Sequence, residues 1–161
     1  MNLQKQQLKE QLKHEHRDEM VQIGIRAVEH ALRWIPGTSE AHRSITKYIE
    51  LVQTKSSTIP ELVRQHGQIQ QAIANRVLAP LPYTIDTCLI HGTESLLKLS
   101  ISEKYISGSM LNTVFVGCWN GASCLDDDKM RAEMKYQDDE LRPQIEQAFE
   151  KLRDQEDKLA A

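Results

Sequence analysis

The sequence predicts an all-α fold, a helical bundle of about five to seven helices in which the first and last helices are long. Apolar residues recur every three or four positions in several segments, which is the spacing of one face of an amphipathic helix. Aromatic residues make up only 5% of the chain, so the core must be built mainly from Leu, Ile, Val, Met and Ala. Glycine and proline are few, with 7 and 5 residues, and this leaves long segments without helix breakers. The length of 161 residues favours a single helical domain over residues 1–161.

The first predicted helix spans residues 2–34 and ends at a Pro-Gly turn signal. Its first turns are polar, so residues 1–12 are candidates for fraying. Further along, Gly24 either allows another backbone to approach closely or simply lowers the helix propensity. A regular apolar stripe runs through the later part of this helix, with steps of four, three and four residues. Its members are Val21, Ile25, Val28 and Leu32.

Two shorter helices are predicted next. The second helix begins at Thr38 or Ser39 and fades in a polar run. Thr58 caps the third helix, and Glu61 stands at the position that completes a capping box. Pro80 ends this helix, because proline disfavours the helical conformation in the residue before it.

The segment from 83 to 119 is less regular. Residues 83–91 suit either a buried helix or a strand, and Gly92 predicts a break after which Thr93 caps a further helix. Residues 110–119 form the most apolar window, and their β-branched and aromatic residues favour a strand by propensity. Since a single strand has no pairing partner in a helical chain, we predict a short buried helix here, ended by Asn120 and Gly121.

Residues 125–161 predict one long acidic amphipathic helix. Ser123 serves as its N-cap, with Asp126 closing a capping box. Pro143 costs about 3 kcal/mol inside a helix, but the apolar stripe stays in phase across it, which favours one helix kinked near Pro143. The stripe has heptad-like spacing and consists of Met130, Met134, Leu141, Ile145, Ala148, Leu152 and Leu159.

Charge and composition narrow the functional classes. The net charge is −3, and residues 125–161 hold 12 acidic against 7 basic side chains. No run of about 18 apolar residues predicts a membrane span, and the N-terminal residues lack the apolar core of a secretory signal. The three cysteines have neither a zinc spacing nor a small-scaffold spacing. We therefore expect a cytoplasmic protein with reduced thiols.

The pattern favours a non-enzymatic helical interaction protein, an adaptor, assembly subunit or regulator that binds itself or another protein. No catalytic, cofactor-binding or metal-binding motif stands out, so no catalytic residue, cofactor or metal ligand is predicted. The two regular stripes can form helix-on-helix contacts. The residues predicted to make these contacts are Val21, Ile25, Val28, Leu32, Leu141, Ile145 and Leu152.

Two other functions remain open. A nucleic-acid-associated helical subunit would use the basic side chains of residues 35–80, which are Arg43, Lys47, Lys55, Arg64 and Arg76. A metal-dependent enzyme would use a carboxylate and histidine site on the first helix, where Glu10, His14 and Asp18 follow one another at intervals of four residues.

Overall fold

The computed structural model describes residues 2–35, 37–54, 58–76, 85–101 and 108–161. All regular structure in these ranges is helical, which confirms the predicted all-α fold with long first and last helices. The helices are α1 (Leu3–Leu32), α2 (Glu40–Gln53), α3 (Ile59–Arg76), α4 (Ile85–Ile101), α5 (Gly108–Ser123), α6 (Asp127–Tyr136) and α7 (Arg142–Ala160), with a π-helical turn at Gln137–Leu141 between the last two.

The middle of α1 is the centre of the bundle and packs against α4, α5 and α7. Its buried residues form one wide face, while Arg26, Glu29 and Arg33 are exposed on the opposite side. At Gly24, an added Cβ would come within 3.0 Å of the Leu96 side chain on α4 and 3.4 Å of the Leu111 side chain on α5. The glycine thus allows close helix packing, one of the two roles that the sequence predicted.

Two predictions for the paired helices α4 and α5 need correction. The break at Gly92 and Thr93 is wrong, because α4 continues through both residues. Gly92 lies close to α5, with the Val114 carbonyl oxygen 3.5 Å from the position of an added Cβ, and the Thr93 hydroxyl donates to the Leu89 carbonyl oxygen within the helix. Residues 110–119 are helical as predicted, but α5 continues beyond Gly121, which is buried in the packing of the helix.

Side-chain caps start most of the helices. Asn2 caps α1, Ser39 caps α2, and Thr58 and Glu61 exchange hydrogen bonds before α3 as a capping box. The predicted Ser123 cap of the last helix is wrong, since Ser123 ends α5 and its hydroxyl donates to a carbonyl of that helix. Asp126 is the cap instead, and its carboxylate accepts from the backbone N–H of Lys129 at 2.7 Å.

The last helical path runs from Asp127 to Ala160, and Pro143 marks its one irregularity in this range. Because proline has no N–H, it cannot continue the backbone ladder. The preceding turn widens to a π-helix, in which the Arg142 N–H donates to the Gln137 carbonyl. The single residue gained in this turn changes which side chains face the core, so Glu133 and Gln137 are buried while Met134 is 37% exposed. The predicted apolar stripe is therefore wrong at Met134, whereas its members Leu141, Ala148 and Leu152 are buried.

No helix in the described ranges is both long enough and apolar enough to cross a bilayer.

Replacing the two cap candidates tests where the last helix begins. Asp126→Ala should lower the free energy of unfolding by about 1 kcal/mol, because it leaves the first N–H groups of α6 without an acceptor. Ser123→Ala should change it by less than about 0.5 kcal/mol. Urea unfolding followed by circular dichroism measures both. Equal losses, or a larger loss for Ser123→Ala, would contradict this helix start.

Candidate functional site

The apolar residues predicted to contact a partner lie in or at the edge of the hydrophobic core. Six of the seven are buried by its own helices, and Ile145 is partly buried at the edge of the same core. An interface built from them would require the core to open, and their role in partner binding stays a prediction. The six buried positions are Val21, Ile25, Val28, Leu32, Leu141 and Leu152.

The basic residues of the nucleic-acid hypothesis lie on α2 and α3. Arg43, Lys47 and Arg64 are exposed, and the guanidinium of Arg43 donates to the Thr38 carbonyl oxygen at 2.8 Å. Lys55 and the side chain of Arg76 lie outside the described residues.

The carboxylate and histidine pair predicted on α1 is present but exposed. His14 Nε2 lies 3.6 Å from Asp18 Oδ2, and Glu10 is one turn earlier on the same helix. In the described part of the chain, no cluster of three or more His, Cys, Asp or Glu side chains is arranged to hold a metal ion.

A buried carboxylate that no sequence pattern indicated joins α6 to α1. Glu133 Oε1 lies 2.7 Å from His30 Nδ1 and accepts from the Trp34 indole N–H at 2.7 Å, while Glu133 itself is completely buried. The His30 ring stacks on Tyr136 with 3.6 Å between ring centroids. Arg33 lies 3.9 Å from the same carboxylate oxygen, which places a positive charge beside it.

This Glu133 cluster (His30, Arg33, Trp34, Glu133 and Tyr136) can orient a histidine and fix a helix junction. Glu133 Oε2 has no hydrogen-bond partner among the described residues.

Burial raises the pKa of the nearby Cys118 thiol, and the Glu133 carboxylate raises it further. The thiol therefore stays protonated and is a poor nucleophile.

A second polar group lies where α3 meets α4. Glu94 accepts from the Gln70 amide at 3.0 Å, and one carboxylate oxygen lies 3.9 Å from His66 Nε2 while the other lies 3.9 Å from His91 Nδ1. Beside it, a groove of about 600 Å³ runs between α4 and α5, and the exposed Cys124 lies at one end of it. The groove contains hydroxyls, an amide and charges of both signs, so it does not select one class of ligand.

The free ends of α1 and α7 form an exposed apolar surface, and Ile59 and Val63, one turn apart on α3, are exposed apolar residues elsewhere in the described chain. We define the arm as residues 3–15 of α1 together with residues 153–160 of α7. None of its residues is buried, and the core begins only at His16 and Leu152. At 1.5 Å per residue, the α1 part of the arm is about 20 Å long.

Leucines line one side of the arm. A groove of about 290 Å³ lies between the two helices and is bordered by Leu8, Leu12 and Leu159, with Glu15 and Lys158 at its rim. Leu8 is 43% exposed. Leu3 is 70% exposed but lies on a different side of α1, because five residues turn the helix by about 140°. This side therefore offers apolar area that its own chain does not cover.

Charged side chains line another side of the arm. Lys5 and Lys9 on α1 and Glu156 and Asp157 on α7 border a groove of about 380 Å³. The two helices of the arm thus bring opposite charges to one surface.

At the base of the arm, His16 is buried between α1 and α7. Its ring packs against Phe149 with 4.7 Å between centroids. Burial lowers the pKa of His16, although Glu19, a hydrogen bond with the Ala148 backbone and Glu156 oppose this effect. The helix contact thus favours neutral His16.

Removing the Glu133 carboxylate should destabilise the fold. Glu133→Ala leaves the partly buried donors of His30 and Trp34 without an acceptor, so the free energy of unfolding should fall by about 2–4 kcal/mol. Glu146→Ala, at an exposed position on α7, should change it by less than about 0.5 kcal/mol. Urea unfolding at neutral pH provides the comparison, and a loss below about 1 kcal/mol for Glu133→Ala would show that the cluster contributes little.

Stability should also fall on mild acidification. Burial is the main cause that lowers the pKa of both His16 and His66 from the ordinary value of 6.5 in the folded state. The unfolded chain then binds more protons than the folded chain just below pH 6.5. The stabilising contribution is complete above this pH and is lost as the pH falls towards the folded-state pKa values.

Variants at the two histidines isolate this effect. The difference in unfolding free energy between pH 7 and about pH 5.5 should be smaller in His16→Leu than in the unchanged protein. It should be smaller again in the double variant with His66→Leu. Parallel pH dependences in all three proteins would show that the two histidines do not cause the loss.

Comparisons of this chain with protein-family models, curated proteins and solved structures found no match.

Proposed function

We propose that this chain is a helical interaction protein that binds a protein partner, either a second copy of itself or another protein, through the arm. The observation that carries the proposal is the exposure of Leu8 beside a groove between the paired ends of α1 and α7, which continue beyond the core. A surface helix ordinarily turns its leucines towards its own core. Here the arm extends beyond the core, so the core does not cover its leucines.

The arm offers a partner more than scattered apolar residues do. Leu125, for example, is also exposed, at 40%, but it lies alone in the short connection before α6. Single exposed apolar residues are normal on protein surfaces, whereas contiguous ones indicate contact sites. In the arm, Leu8, Leu12 and Leu159 border one groove, so a partner helix can bury several of them together.

The binding free energy from such a contact can be large compared with any loss in the free energy of unfolding. Burying one exposed leucine side chain contributes about 1.5–3 kcal/mol when burial is complete, and less for a side chain that is already partly covered. Because no arm residue belongs to the buried core, a partner can bind without displacing core packing. Folding and binding therefore depend on different residues.

The charged side chains of the arm make partner binding selective. The α7 part of the arm is only slightly acidic, with Asp154, Glu156 and Asp157 against Arg153 and Lys158. The α1 side of the arm is richer in lysine, with Lys5 and Lys9 at the charged groove. Complementary charges on a partner raise the association rate and determine orientation more than they add affinity.

Paired substitutions of exposed leucines test this function. Leu8→Glu should remove partner binding, because it puts a charge in the centre of the leucine groove. Leu125→Glu changes an equally exposed leucine outside the arm and should keep partner binding. The measurement co-expresses each tagged variant with an unchanged copy that carries a second tag, and quantifies both the captured second copy and other stoichiometric proteins.

The unchanged protein should retain at least one stoichiometric protein that Leu8→Glu loses and Leu125→Glu keeps. Circular dichroism should show the same helix content for all three, since both positions are exposed. If Leu8→Glu captures the same proteins in the same amounts as the unchanged chain, the arm is not the binding surface.

A further inference from the structure

We infer that His16 is a pH-sensitive switch for the arm: when its ring takes up a proton, the ends of α1 and α7 separate while the rest of the bundle stays folded. The switch goes beyond the proposed function, because it is a property of the chain whatever the arm binds. Three features of the base of the arm support it, namely the place of His16, its charged neighbours and the small core that opening exposes.

His16 lies at the boundary between the core and the arm. It is only 4% exposed, and its ring packs against Phe149 of α7 with 4.7 Å between centroids. It is also the first buried residue of α1, since none of residues 3–15 is buried. Separating the end of the α1–α7 contact is therefore enough to bring His16 into water.

The buried contact accepts a neutral imidazole more readily than a charged one. Moving a charged ring out of water is costly unless its new neighbours compensate fully. Four charged side chains lie around the ring, namely Glu15 and Glu19 on α1 and Lys151 and Glu156 on α7. Burial is the largest effect and lowers the pKa of His16, although Glu19, a hydrogen bond with the Ala148 backbone and Glu156 act in the opposite direction. Protonated His16 is therefore more stable in the open arm than in the closed one.

Opening the arm exposes little of the core. A cavity of about 50 Å³ already lies beside the ring, between α1 and α7. Ala148 and Leu152 are the two buried residues of α7, so separation at this end uncovers few other core side chains. A segment with few buried contacts opens at a lower free energy than the whole fold. Proton uptake by His16 should thus favour this local opening before global unfolding.

The open arm loses its leucine groove. Leu8 and Leu12 on α1 and Leu159 on α7 border this groove together only while the two helices are paired. Separated helical ends of this length are marginal in water, so they should also lose helical hydrogen bonds. The opening can therefore be measured at the backbone amides of the arm.

Amide hydrogen exchange of the full-length chain, followed by nuclear magnetic resonance at pH 7 and about pH 5.5, tests the switch. Rates are corrected for the pH dependence of intrinsic exchange. The protection of arm amides should fall by about 2- to 10-fold at the lower pH, where the upper bound is one proton taken up by a histidine of ordinary pKa in the open state. Amides in α5 should stay better protected than those of the arm at both pH values, because they exchange through larger openings.

Two histidine variants separate local opening from global unfolding. His16→Leu should abolish the acid-induced fall in the arm. His66 on α3 is the matched control, because it is also buried, burial also lowers its pKa, and it lies outside the arm. His66→Leu should keep the fall in the arm and reduce only the fall in α5. Circular dichroism verifies that both variants are folded.

Two outcomes would overturn the switch. In one, arm protection in the unchanged chain does not fall at the lower pH, or the fall persists in His16→Leu. In the other, both variants reduce the fall in the arm and in α5 alike, which would mean that proton uptake acts through global unfolding. Neither measurement involves a partner, so both leave the proposed function to the capture experiment.

Discussion

The buried carboxylate of Glu133 determines how the last helix meets the first. A buried charge is costly unless hydrogen bonds and opposite charge compensate for it, and here the compensation comes from the C-terminal part of α1. His30 and Trp34 both contact one oxygen of Glu133, and Arg33 lies beside it. Sliding α6 by even one residue along α1 would separate the carboxylate from these groups. The cluster therefore fixes the register of the two helices at one end of their contact.

The π-helical turn connects this junction to α7, which makes the remaining contacts with α1. Glu133 and Gln137 both face the core, and the Gln137 amide donates to the Phe115 carbonyl oxygen of α5. Leu141, four residues after Gln137, lies on the same side of the helix and is also buried. From there α7 runs antiparallel to α1, with a hydrogen bond from Arg26 to Gln144 and the contact of His16 with Phe149 along the way. The position of Leu159 beside α1 thus depends on how the last helical path packs against α1 from Glu133 of α6 onwards.

The sequence predicted the helices better than the side chains that join them. Periodicity and caps located α1, α2, the start of α3 and the last helix, because these signals act over a few neighbouring residues. The break at Gly92 was wrong because a glycine that serves close packing with α5 has the same local appearance as one that ends a helix. The Glu133 cluster could not be predicted, since its members come from two segments about 100 residues apart and an isolated Glu looks like a solvated surface residue. Likewise, the apolar stripes showed which residues are buried, but not whether the chain itself or a partner covers them.

The predicted fraying of residues 1–12 and the exposure of the arm have the same physical origin. Helical ends with few buried contacts have low local stability, and a helix of this length is marginal on its own in water. In the structure, α1 is helical from Leu3, and the Asn2 side chain caps it by accepting from the Lys5 N–H at 2.8 Å. The cap and the contact with α7 hold the arm in one shape, but they leave its leucines uncovered. Under the proposed function, a partner that covers these leucines also stabilises these turns, so that binding and helix order support one another.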